Sequence, residues 1–312
     1  MYVPYLYGRQ EEALALAELA PTLAASGHVV PLIEPAATSV QLHNKVSILR
    51  AAGASAMIVA NPTRGKLTTP TAQATALGHL AADLTDTAHI RPAFRESDGQ
   101  GLAELKAFLL TYPARPVAVV LTTQLIPPSD LATALKGRDY LVLFDIGVSA
   151  MSYLLDIPAG RSIDIGHRFP GRDRNVDYAN PNDELFSNDL LTWKTAGRAG
   201  FSDFTVLPAT YTTGGGSAVA IAVHLTYMTV HGLRVRHYVS DDSVRGDYPP
   251  KWRALLGDLT ADITADPSLF ETTDGLNSFL AQARSADYTS LGASKRQQIV
   301  HHIQTVDRRM AV

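Results

Sequence analysis

Two carboxylates in this chain close apolar runs. Glu34 follows Val29-Val-Pro-Leu-Ile33, and Asp145 follows Tyr140-Leu-Val-Leu-Phe144. A pair of carboxylates divides acid and base work when their surroundings separate their proton affinities. Glu34 and Asp145 are therefore the first acid/base candidates. Glu96 is the third, although Arg95 beside it supplies a surface partner. The plainer reading of Glu34 is a structural ion pair with a nearby arginine. Arg9, Asn61, Arg95, His167, Arg168 and Asp203 stand at the ends of other apolar runs and are read as ligand-binding candidates, together with Tyr7 and Thr122-Thr123. Loops are polar in general, which is the plain alternative for the whole set.

Arg161, Arg168, Arg172 and Arg174 crowd one stretch. Thr212-Thr-Gly-Gly-Gly-Ser217 follows a later one. Gly214 and Gly215 let backbone N–H groups approach an anion closely, so this pair of features suits a phosphate. It is not a Walker motif, and Asp164, Asp173 and Asp177 offer the arginines ordinary ion-pair partners. His224 and His237 lie on opposite sides of His231-Gly232, a good hairpin turn, and face each other across it. With Asp241 or Asp203 they form a candidate site for a divalent cation, the cofactor these residues suggest. No H-E-x-x-H spacing is present, and structural histidines are the plainer expectation. Ser202 lacks a G-x-S-x-G elbow.

Short β-branched runs alternate with Ala/Leu-rich stretches. Strands are expected at 2–7, 29–33, 56–60, 90–94, 117–121, 140–144, 161–166 and 201–207. Helices are expected at 9–25, 39–53, 71–84, 102–110, 129–135, 149–155 and 185–196. Ser39 and Ser129 are placed as N-caps and Gly27 as a C-cap. The strands read as continuous apolar runs, so both sheet faces are covered. An α/β fold follows, a (β/α)8 TIM-barrel-like core over 1–210, in which function belongs at the C-terminal strand ends. The hairpin occupies 211–248, and a C-terminal helical segment, 249–312, is expected to pack on the barrel as part of one compact unit. A barrel that uses 218–226 as a strand ranks second. An open doubly wound sheet ranks third, since no G-x-G-x-x-G follows the first strands.

Lys+Arg of 27 against Asp+Glu of 30 gives a net charge of −3, which offers no general attraction for nucleic acid or anionic membranes. Cys is absent, which excludes disulfides and thiolate metal sites and fits a reducing, cytoplasmic setting. The opening residues lack a basic segment followed by an apolar one, so no signal peptide is expected. No apolar run reaches the ~20 residues of a membrane span.

Several segments together resemble the Beta protein family, an uncharacterised bacterial and phage group: Tyr2-Val-Pro-Tyr-Leu-Tyr-Gly-Arg-Gln10, Val30-Pro-Leu-Ile-Glu-Pro35, Arg174-Asn-Val-Asp-Tyr178, Gly200-Phe-Ser-Asp-Phe204, Ala220-Ile-Ala-Val-His-Leu-Thr-Tyr227 and His237-Tyr-Val-Ser-Asp241. The similarity spans about residues 1–255 and is nearest to a bacterial branch linked to mobile or phage-defence gene neighbourhoods. It implies a barrel-like fold and a defence setting, and transfers no catalytic residue. Two functions fit these features. The first is a barrel whose polar mouth binds or acts on a phosphorylated or nucleotide-like ligand. The alternative is a non-catalytic recognition or partner subunit of a phage-defence system, working through the hairpin, the Arg-rich segment or the basic C-terminal helix.

Overall fold

The computed structural model describes residues 1–145, 148–212, 219–241 and 244–311. The chain folds as two compact units. The first comprises Met1–His167 and Leu191–Phe204, the second Arg168–Leu190 and Thr205–Val312. This corrects the single unit with boundaries near 210 and 248 that was expected from the sequence.

The first unit is a closed parallel barrel. Its strands are β1 (Tyr2–Leu6), β2 (Leu32–Ile33), β3 (Ala56–Val59), β4 (Ile90–Arg95), β5 (Val117–Leu121), β6 (Tyr140–Phe144) and β7 (Ser162–Gly166). After β7, strand β8 (Asp183–Ser187) leaves the barrel, and β9 (Gly200–Asp203) closes it against β1. Helices α1 (Gln10–Ser26), α2 (Val40–Ala51), α3 (Pro70–His79), α4 (Ala81–Leu84), α5 (Leu102–Thr111), α6 (Pro128–Leu135) and α7 (Ala150–Tyr153) connect successive strands. The expected (β/α)8 barrel is thus present, with a four-residue α8 (Asp189–Thr192) in place of a full helix before its last strand.

Local chemistry explains several boundaries. Gly27 ends α1 at φ 64°, in the left-handed region, and its N–H reaches the Leu23 carbonyl at 3.1 Å. Ser39 Oγ accepts from Gln41 N at 3.2 Å and starts α2. Gly200 is needed where the barrel closes, because a Cβ there would stand 2.0 Å from the Met1 carbonyl oxygen. Ser129 does not cap α6, which begins one residue earlier at Pro128.

Strand alternation fixes what faces the barrel axis. Phe94, Val119 and Phe144 pack outward with Leu105, Leu131 and Tyr153 of the helices. The alternate residues therefore point inward, and the register links them around the ring. Tyr5 lies beside Leu32, Leu32 beside Met57, Met57 beside Arg91, Arg95 beside Val120, Leu143 beside Ile163, and Ile165 beside Ser202.

The second unit is built on an antiparallel sheet of order β10-β11-β8, with β10 at Ala222–Thr229 and β11 at Gly232–Val239. The expected hairpin forms, with Thr229 opposite Gly232 and His224 opposite His237. Residues 185–196 were expected to be helical. Only Asp189–Thr192 is helical; the start of the stretch is β8, which pairs with β11, because alternation of Glu184 and Phe186 against Asp183 and Leu185 suits a sheet edge, and sheet pairing outweighs local helix propensity. Helices α9 (Tyr248–Ala265) and α10 (Asp274–Ser285) bury Leu255, Leu259, Leu276 and Phe279 against Val223, Leu225 and Tyr238 of this sheet. The apolar stripe of the tail therefore finds its core here.

Helix α11 (Leu291–Met310) runs along the edge strand β10. Its Gln298 Oε1 accepts from His224 N at 3.0 Å, and His301 Nε2 donates to the Thr226 carbonyl at 2.8 Å. Side chains thus satisfy backbone groups that an edge strand leaves open. Among the described residues, no helix is long and apolar enough to cross a membrane.

Candidate active site at the barrel mouth

Continuing each inward series past its strand brings one residue per strand to the C-terminal mouth: Tyr7, Glu34, Asn61, Arg95, Thr122, Asp145, His167 and Phe204. Six of these were singled out from the sequence as strand-end candidates, and Tyr7 stood beside them.

Glu34 is fully buried. Its Oε2 accepts from Tyr5 Oη at 2.6 Å and from Arg64 Nε at 3.0 Å, and Arg95 Nε lies 3.6 Å from Oε1. Burial, reinforced by the Glu34 carboxylate, pushes the Tyr5 phenol well above its ordinary range, so Tyr5 stays a donor. Asn61 grips the backbone of Arg95, donating to its carbonyl at 2.7 Å and accepting from its N–H at 2.8 Å. That clamp sets the direction in which the Arg95 side chain leaves the strand. The plain expectation for Glu34, an arginine-held carboxylate, is what the geometry shows.

His167 and Asp145 form a second group. His167 Nε2 lies 2.6 Å from Asp145 Oδ1. A carboxylate accepts, so this contact places a proton on Nε2 and leaves Nδ1 outside the pair with Asp145. The His167 side chain is 33% exposed, enough to meet a ligand. Phe204 joins the two groups, its ring 5.3 Å from His167 and 4.7 Å from Tyr5. Tyr7 lies between them, its phenol raised chiefly by burial, with Arg64, Glu34, Arg95 and Asp145 all within electrostatic reach. Arg64 and Arg9 sit 5.4 and 5.9 Å from the Tyr7 ring centre.

Other candidates lie elsewhere. Glu96 accepts from the N–H groups of Thr122, Thr123 and Ile126, so it staples the loop after β5. Asp203 accepts from Tyr2 Oη at 2.7 Å on the outer face of the barrel. Both miss the axis for the same reason: they are one residue out of phase with the inward series. Arg168 belongs to the second unit, in a two-pronged pair with Asp189 at 2.7 and 2.8 Å. Gly214 and Gly215 lie outside the described residues.

His224 and His237 do meet, with Nδ1 atoms 2.8 Å apart. That is a hydrogen bond, not two lone pairs converging on an ion. The carboxylate joined to the pair is Glu184, 3.0 Å from His237 Nε2 and itself bound by Arg172 at 2.5 Å. Because Glu184 accepts, His237 carries its proton on Nε2 and accepts at Nδ1 from His224. Phe169 and Tyr178 pack their rings 4.9 and 4.6 Å from His224. Burial holds both imidazoles below their usual proton affinity. Asp241, the proposed third ligand, is exposed. Among the described residues, no group of three or more His, Asp or Glu is arranged to hold a metal ion.

Sequence reasoning missed Tyr5, Arg64 and Phe204 at the mouth. The parity of β1 and β9 points to Tyr5 and Phe204. Arg64 comes from a loop and carries no periodic signal.

No protein-family model matches the chain, and no curated protein matches it. Among solved structures, the chain is similar to a protein assigned to the dihydrodipicolinate synthase family from Coccidioides immitis, at 11% identity and a TM-score of 0.40 over 99% of this chain and 86% of that one. At that distance the likeness says nothing of chemistry, and the barrel rests on its own strand pairing.

Proposed function

We propose that the barrel binds a small anionic ligand, of phosphorylated or nucleotide-like type, at its C-terminal mouth, and that His167 moves a proton there. The observation that carries this reading is the His167–Asp145 contact of 2.6 Å beside an inward cluster of arginine and tyrosine. Asp145 orients the imidazole, so Nδ1 is the basic atom offered to a ligand. Arg64 keeps Nε on Glu34 and has its terminal N–H groups available for an anion. Glu34 and Arg95 hold the floor of the site.

Family membership is part of the same proposal. The residues that carry the resemblance to the Beta protein family include Tyr5, Tyr7, Arg9, Glu34, Tyr178, His224 and His237, the residues of the two polar clusters. This supports placing the chain in that family, and with it a defence setting.

A thermal-shift screen of the purified full chain against nucleotides, sugar phosphates and inorganic phosphate tests the reading, since a ligand of the folded state raises the midpoint. The expected hit is abolished by Arg64→Met. His167→Gln is expected to retain binding while stopping any turnover of that ligand. A chain that no panel member stabilises belongs instead to the recognition-subunit reading.

A further inference from the structure

The N-terminal end of the barrel axis holds an arginine. Arg91 belongs to the inward series of β4 with Ala93 and Arg95, and its register neighbour is Met57. Around it opens a cavity of about 220 Å³, lined by the starts of several strands, including Ser55, Met57, His89, Arg91, Pro116 and Leu141. Nothing in a packed barrel requires a guanidinium at this layer, where branched apolar residues ordinarily fill the axis.

The charge there is poorly matched. Arg91 Nη2 reaches Asp139 only at 3.4 Å, and Asp139 is 59% exposed and shared with Arg161 at the same distance. Arg91 Nη1 is buried and, among the described residues, has no hydrogen-bond partner. Burial, aided by the positive field of Arg161 and opposed by Asp139, lowers the proton affinity of Arg91 below its ordinary value. In this half-buried guanidinium the buried, unmet Nη1 donor is costly unless an acceptor reaches it. A tetrahedral or planar oxyanion supplies several acceptors and the missing charge, and a phosphate-sized group fits the volume.

We propose that this opening is a second binding site, for a small oxyanion such as a phosphate or phosphate monoester, anchored by Arg91 on the face of the barrel opposite His167. It is independent of the mouth, because the two arginine sets share no residue.

The test is a titration of the full chain with inorganic phosphate, followed by amide NMR and thermal shift. Phosphate is expected to move the amide signals of Ala56, Ile90 and Arg91 and to raise the midpoint. Arg91→Met is expected to remove both effects, and Arg64→Met to leave the Arg91-centred signals responsive. Should Arg91→Met fold poorly, Arg91→Lys is read in its place, with affinity expected to fall about tenfold as the fork geometry is lost. No response at about 20 mM phosphate overturns the proposal, since a site that weak gives no mass-action stabilisation. Changes confined to amides of the mouth, or unchanged affinity in the Arg91 variants, overturn it as well.

Discussion

Glu34 shows how a buried carboxylate is tied to its surroundings. It accepts from Tyr5 and Arg64 and lies against Arg95, with none of its surface in water. Removing its charge leaves two guanidinium groups facing each other without an intervening anion. Glu34→Gln is therefore expected to lower unfolding free energy by about 3 kcal/mol, the usual cost of breaking a buried pair from one side. Urea denaturation measures it, and a loss below about 0.5 kcal/mol would mean that the pair behaves as an exposed one. At this scale the sequence was legible where a strand end and the inward parity coincide, as at Glu34, Asn61, Arg95, Asp145 and His167. It misled at Glu96 and Asp203, because an apolar run shows where a strand ends but not which of two adjacent residues faces the axis. It was silent on Arg64, whose loop sets its position through folding of the chain around it.

The element that most contradicts its own composition is α11. Its residues Gln297 to Asp307 are all buried, although the sequence reads as a basic amphipathic helix with a solvated or partner-docking face. The cause is the edge of β10, whose backbone groups need polar partners that Gln298 and His301 provide. Gln298→Leu is expected to cost about 1–3 kcal/mol by orphaning the His224 N–H, a loss visible in thermal or urea unfolding. His301 adds a pH dependence. Its imidazole donates to the Thr226 carbonyl, accepts from Thr273 Oγ1 at 2.7 Å, and is pushed by burial down to about 4. In the unfolded chain it titrates near 6.5, so between about 6.5 and 4 the unfolded state holds the extra proton. Stability is full above that window and falls as pH drops through it, by about 3 kcal/mol at the acid end from His301 alone. His224 and His237 are lowered too and act in the same direction. Urea midpoints at pH 7.5 and pH 5 check the sign, and equal midpoints would contradict buried neutral histidines. The β8 strand was illegible for a related reason: its pairing partner lies about fifty residues ahead in the chain, beyond the reach of local periodicity.

At the scale of the whole molecule, the chain passes between its two units three times, after His167, Leu190 and Phe204. The barrel topology was readable from the alternation of apolar runs and helices, since that pattern is local. The unit boundaries were not, because Arg168–Leu190 joins its sheet through contacts with β11 that no local signal announces. A chain ended after residue 210 keeps all eight barrel strands but leaves β8 without its neighbour. Such a fragment is expected to expose the Phe186 face and self-associate, as an unpaired strand edge does. Size-exclusion chromatography decides this, and a monodisperse fragment would show that the inserted segment tolerates the loss of its sheet. A ligand screen of three proteins probes the mouth of the barrel. The full chain, Arg64→Met and Arg91→Met are melted with nucleotides, sugar phosphates and inorganic phosphate. At least one compound is expected to give a stabilisation that is lost in Arg64→Met and kept in Arg91→Met. Stabilisation that survives Arg64→Met for every compound, or no stabilisation by any, would contradict a working anion site beside His167.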